Sequence, residues 1–186
     1  MDSVYIEKVL NGSTEDFRFL IRKYKDLAFS VAVSVVKNEF DAEEVVQESF
    51  IRAFRNLSSL KEKSKFKTWF CRILVNEAFK RLHKLKNEIV PETIENIREF
   101  EDPSESFRGL NPEEQSLLVS ESLKKLPSRE SLSLQLFYLE GNSIEQITNL
   151  TGWSEANVKV ILHRARKHLL EVVIVGMEIE SAITTR

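Results

Sequence analysis

The chain has 186 residues, 42% of them hydrophobic, and a formal net charge of −2, enough to bury a real core as one domain or two small ones. Its single cysteine excludes an internal disulfide or a cysteine metal cluster, and five glycines with four prolines leave little for β-hairpins. No signal peptide opens it and no apolar run nears the ~20 residues that span a bilayer, so a cytoplasmic, all-α protein is expected.

The near-neutral total hides a segregation that orders the chain. Residues 1–86 carry 17 Lys and Arg against 12 Asp and Glu, residues 87–121 carry 2 against 10, and residues 122–186 carry 8 against 7. An acidic segment thus separates two neutral-to-basic blocks, and overall charge says little about affinity for nucleic acid.

In the first block a helix is expected from Ser13 or Thr14 to about Asn38, with Phe17, Leu20, Ile21, Tyr24, Ala28, Val31 and Val35 on one face. Asp41 and Glu44 form a variant capping box that starts a second helix, whose inner face carries Val46, Phe50, Ala53, Phe54 and Leu57. Its outer face presents Glu43, Glu44, Gln47, Glu48, Arg52 and Arg55, either a solvated face or a docking surface for a basic partner. A polar loop from Asn56 to Ser64 holds Lys61 and Lys63 and leads into Lys65-Phe-Lys-Thr-Trp-Phe-Cys-Arg-Ile73, where rings alternate with cations. Phe66, Trp69, Phe70 and Ile73 are spaced to fill a core; alternatively one or more of the rings lie beside unpaired bases, where stacking contributes roughly 1–3 kcal/mol per base. Further along, Arg72, Asn76, Lys80 and Lys84 recur every four residues. An amide among cations on one exposed face can take a base edge while its neighbours hold phosphates.

From Asn87 to about residue 111, prolines and acidic residues break the pattern and make a linker. Helical periodicity resumes near Pro112, and Leu126-Pro127-Ser128 opens a helix carrying Leu132, Leu136 and Leu139. Ser143 with Gln146 then gives a capping box, with Ile144, Ile147 and Leu150 on one side of a short helix that Gly152 ends. Ser154 caps the next helix, whose buried stripe is Val158, Ile161, Leu162, Ala165 and Leu169. Opposite stand Ala156, Asn157, Lys159, Val160, His163, Arg164 and Lys167. Helix, tight turn and basic second helix read as a helix-turn-helix: small residues allow close approach to a DNA groove and cations meet phosphates. Residues 171–186 form an apolar tail without a clear period.

These segments, from about Asp16 to Leu169, resemble the extracytoplasmic-function (ECF) group of bacterial sigma factors in the sigma-seventy superfamily. The resemblance rests on Asp41-Ala-Glu-Glu-Val-Val-Gln-Glu-Ser-Phe50 with Ala53-Phe54, on Phe66-Lys-Thr-Trp-Phe70, and on Arg72-Ile-Leu-Val-Asn76. In the second block it rests on Leu126-Pro127, Glu140-Gly141, Ser143 with Glu145-Gln-Ile147, Gly152, Ser154, Val158-Lys159 and Leu162-His-Arg-Ala-Arg166. It implies a factor that binds core RNA polymerase and takes it to promoter DNA, with residues 1–86 as region 2, 87–111 as linker and 112–170 as region 4. Asp41, Glu44, Gln47 and Glu48 would then face the polymerase. Lys61, Lys63, Lys65, Trp69, Arg72, Asn76, Lys80, Arg81 and Lys84 would serve the minus-ten element and strand opening. Ser154, Ala156, Asn157, Lys159, Val160, His163, Arg164 and Lys167 would read the minus-thirty-five element. The linker would enter the polymerase channel that later carries RNA, and an anti-sigma factor stands among the partners such a protein can have. Val160-Ile161 replace a serine and an arginine found in many relatives, so promoter sequence does not transfer; Val160 can instead touch a thymine methyl.

Two other classes compete at this stage. A conventional helix-turn-helix regulator would bind duplex DNA tightly without polymerase, and a helical adaptor would show no salt-dependent DNA binding. An enzyme is not expected, nor a cofactor or metal: there is no glycine-rich phosphate loop or nucleophile elbow, and His83, His163 and His168 lack ligand spacing.

Overall fold

The computed structural model describes residues 2–88 and 121–184, with side chains through residues 85 and 174 respectively. Among them every regular element is helical. In chain order they are α1 (Asp2–Leu10), α2 (Phe17–Val36), α3 (Glu39–Arg55), α4 (Phe66–Glu88), α5 (Ser128–Leu134), α6 (Ile144–Thr151) and α7 (Glu155–Thr184). A 3-10 turn, Thr14–Asp16, precedes α2, residues 121–125 are helical ahead of α5, a π-helical turn, Gln135–Leu139, follows α5, and short 3-10 turns at Leu57–Ser59 and Lys63–Lys65 lie between α3 and α4.

The first block packs α2, α3 and α4 around a core of rings. Phe66 and Phe70 are fully buried, Phe70 stacks on Phe50 at 4.5 Å, and Tyr24 leans on Phe66 at 5.4 Å. The alternation of rings and cations is therefore core spacing, and these two phenylalanines are unavailable to bases. Trp69 is half-buried, tilted against Phe66 at 5.9 Å.

Several expectations need correction. α3 starts at Glu39, because Asn38 is its N-cap and accepts a hydrogen bond from the Asp41 backbone N–H; Asp41 lies inside the first turn. α2 starts at Phe17, because Thr14–Asp16 form a 3-10 turn ahead of it; it ends at Val36, close to the expected Asn38, with Lys37 as a left-handed C-cap (φ 63°) that donates its N–H to Val33 O. Ile21, Phe54 and Leu139 share helical faces with core residues yet are exposed. The tail continues α7 to Thr184 and buries Val173. α1 was not legible in the sequence: its Ile6 and Val9 are buried against the first block.

In the second block α5 lies behind the helix-turn-helix and packs on α7, where His168 Nδ1 stands 2.5 Å from Glu130 Oε2. The capping box at Ser143 is complete: Gln146 N–H donates to Ser143 Oγ and Ser143 N–H to Gln146 Oε1. Gly152 takes the left-handed C-cap (φ 75°) that a side chain rarely adopts. The two blocks also pack on each other, α5 against α2 and α6 against α4. Ser128 Oγ donates to Val35 O at 2.6 Å, Lys37 Nζ to Leu123 O at 2.7 Å, and Phe79 meets Trp153 edge-on at 5.9 Å.

Candidate functional site

Three surfaces carry the sequence-derived candidates. The first is α3, an amphipathic helix whose buried side holds Ala42, Val45, Ser49, Phe50 and Ala53. Its outward residues turn two ways. Asp41, Glu44 and Glu48 lean toward α4, where Arg81 reaches Asp41 at 2.5 Å and Glu44 at 2.7 Å, and Arg52 joins Glu48 to Glu77, both at 3.0 Å. Gln47 instead faces α2, lining an open groove of about 880 Å³. Phe17, Ile21, Phe29, Val46, Ile51 and Phe54 make that groove apolar, and Lys25, Asp26, Glu43 and Arg55 charge its rim. The apolar members were missed because helical spacing marked several of them as core; exposed Ile51 and Phe54, four and seven residues after Gln47, were the available signal.

The second surface is α4 with the loop before it. Arg72, Asn76, Lys80 and Lys84 are all exposed along one side, while Phe70, Leu74, Val75 and Ala78 are buried on the other. Glu77, which sequence reading missed, is 8% exposed and sits between Arg52 and Lys80, the latter at 3.8 Å. A carboxylate so far from water needs those cations. Arg81 is half-buried and committed to α3, apart from the exposed stripe. In the loop, Lys63 pairs with Glu7 at 2.9 Å, Lys65 with Glu62 at 2.8 Å, and Lys61 is exposed. Cys71 lies beneath this face, its thiol pushed by burial up to about 12, so it stays protonated and packs as an apolar side chain.

The third surface is the start of α7. Ser154 accepts the Asn157 N–H at 3.3 Å and is used as the helix cap. Ala156, Asn157, Lys159, Val160, His163 and Arg164 are exposed, Lys167 half-buried, while Val158, Leu162 and Ala165 are buried behind them. Lys159 lies 2.6 Å from Glu155, and its hydrogen bond and charge hold the Glu155 carboxyl below its ordinary range. Arg166 turns away from this face: it donates to Tyr138 Oη at 2.8 Å and lies over the Phe137 and Tyr138 rings. No helix among the described residues is long and apolar enough to cross a membrane.

Residues 20–88 match the sigma-70 region 2 family and residues 116–169 the sigma-70 region 4 family. The chain is 30% identical over 178 residues to an ECF RNA polymerase sigma-E factor of Haemophilus influenzae, covering 89% of this chain and 92% of that one. It is 31% identical over 149 residues to the RNA polymerase sigma factor SigV of Bacillus subtilis, covering 79% and 84%. Among solved structures, CnrH in complex with the cytosolic domain of CnrY superposes with a TM-score of 0.63 at 20% identity, covering 94% of this chain and 97% of that one. The sigma factor RpoE of Bartonella quintana, in complex with the anti-sigma factor NepR, gives 0.64 at 22% identity, covering 87% and 98%.

Proposed function

The chain belongs to the ECF group of the sigma-70 family, initiation factors that bind RNA polymerase and direct it to promoters, and from that premise we propose how its surfaces divide the work. It is not itself an enzyme, and we place it in the cytoplasm with the polymerase it serves. Residues 1–86 act as region 2 and 112–170 as region 4, joined by the acidic linker 87–111, which enters the channel that later carries RNA. The outer face of α3 docks on the core enzyme: Asp41, Glu44 and Glu48 supply charge, and Gln47 with the apolar groove seats a nonpolar ridge. On α4, Asn76 takes a base edge of the separated minus-ten strand while Arg72, Lys80 and Lys84 hold its phosphates, and Lys61, Lys63 and Lys65 flank it from the loop. Trp69 supports that site from below. Arg81 moves in this reading from the strand to the joint between α3 and α4. On α7, Lys159, His163, Arg164 and Lys167 engage the minus-thirty-five element, with Ala156, Asn157 and Val160 at the base edges and Ser154 fixing the helix start.

The observation that supports this most is the exposed stripe Arg72, Asn76, Lys80 and Lys84 on a helix whose other side is a sealed core. Elements named for positions ten and thirty-five lie about 25 base pairs, or about 85 Å, apart. Here Phe79 of α4 and Trp153 beside the helix-turn-helix are in ring contact at 5.9 Å. We therefore take the packed arrangement as that of the factor off the promoter; engagement parts Phe79 from Trp153 and Lys67 from Glu140, now 3.2 Å apart. An anti-sigma factor that occupied the α2–α3 groove would compete directly with the polymerase.

Run-off transcription with purified core polymerase on pooled genomic fragments, with and without this protein, tests the assignment. Protein-dependent starts that share an upstream two-part element are expected. Failure to bind core polymerase would replace this reading with a conventional regulator.

A further inference from the structure

Helix α1 lies ahead of the region 2 match, which begins at residue 20, and no role has yet been given to it. It is well anchored. The Asp2 carboxylate accepts from Lys23 Nζ at 2.5 Å and from Tyr24 Oη, Tyr5 stacks on Phe19 at 4.4 Å, and Ile6 and Val9 are buried. Its other side touches both 3-10 turns of the loop between α3 and α4.

That loop is weakly held by itself. Leu60 and Phe66 are buried at its ends, but no side chain from Lys61 to Lys65 is buried. Among the described residues, the ion pair that ties this stretch to another element is Lys63 Nζ to Glu7 Oε1, 2.9 Å. The remaining pair, Lys65 with Glu62, is internal to the loop. Both members of the Glu7–Lys63 pair are substantially exposed, and such pairs add little to stability. Its effect is on position. An ammonium has three donors, so Lys63 can keep Glu7 and still offer protons to a phosphate.

We propose that α1 is a strut for the strand-opening loop and that Glu7 is a positioning residue, fixing where the loop lysines stand when a separated strand arrives. This rests on the loop reading given above. A loop ordered beforehand loses less freedom on binding, and the strand is held more firmly for it.

The test uses the full chain with core polymerase, Glu7→Gln against the unsubstituted protein, on a promoter recovered by run-off transcription. Amide hydrogen exchange reads the loop, and 2-aminopurine fluorescence in the minus-ten element reads strand opening. Exchange at residues 61–65 should rise with the rest of the chain unaltered, and opening should fall roughly three- to tenfold at unchanged affinity for core polymerase. Glu7→Asp, which keeps the charge, should recover part of both. Unchanged exchange would overturn the strut. If exchange rises but opening does not fall, the strut has no part in opening, and Lys61→Gln then separates the causes. Opening impaired by Lys61→Gln leaves the loop on the strand and removes only Glu7, whereas opening untouched by either change removes the loop from strand binding altogether.

Discussion

The two surfaces proposed to face DNA are built on different principles. On the first block the cations bridge carboxylates within and between elements: Arg52 joins Glu48 of its own helix to Glu77 of α4, Lys80 lies near Glu77 on its own helix, Arg81 of α4 reaches Asp41 and Glu44 of α3, and Lys63 of the loop reaches Glu7 of α1. On the second block Lys159 pairs with Glu155 one turn away, and the reading face is set by caps at Ser143, Gly152 and Ser154. In the proposed reading, the polymerase face and the strand face of the first block therefore share one frame, Arg81 and Glu77, whereas the reading face of the helix-turn-helix is set by its own caps. On that reading, docking on α3 is expected to reach the exposed stripe of α4 through these ion pairs.

The sharpest way to break this comparison is to remove the ring core that holds the frame. Phe70→Ala empties a site stacked against Phe50 and Phe66 and should destabilise the protein by about 3–5 kcal/mol, read by denaturant titration, with core binding lost. Next, Arg81→Ala strips the cation from Asp41, whose side chain is 13% exposed, at a cost of about 2 kcal/mol. Polymerase affinity and strand opening should fall together, whereas Lys84→Ala, on the exposed stripe, should lower opening alone; intact affinity in Arg81→Ala would show the two faces to be independent. Ser143→Ala removes the hydroxyl that accepts the Gln146 N–H, one half of the capping box, and should cost about 1 kcal/mol by thermal melting. It should weaken duplex binding at the minus-thirty-five element and leave opening of a preformed minus-ten fork unchanged. The smallest effect is expected from Lys159→Ala with Lys167→Ala, which should shallow the salt dependence of duplex binding by up to about 2 units of log–log slope. An unchanged slope would take both lysines off the DNA.

What the sequence made legible was what local chemistry determines. Ser143, Gln146 and Gly152 mark a helix start and stop within ten residues, and the structure has the complete capping box and left-handed cap there. The start of α3 was misplaced because Asn38 and Asp41 are both good caps and spacing alone does not rank them. Phe54, Ile21 and Leu139 were read as core because periodicity identifies a face without showing what covers it; two of them line the groove beside α3. Glu77 carries no local signal of burial, since the Arg52 that neutralises it comes from another helix. Phe66 and Phe70, left open between core and base stacking, were decided by packing between helices distant in sequence.

The central claim is that docking and strand opening occupy separate faces of the first block, and Asn76→Ala addresses it most directly. In the reconstituted holoenzyme, core affinity and minus-ten opening would be measured on the same preparation. The account predicts unchanged affinity and opening reduced by about tenfold or more, the loss of one base contact. A parallel fall of both, or no fall in opening, would contradict it.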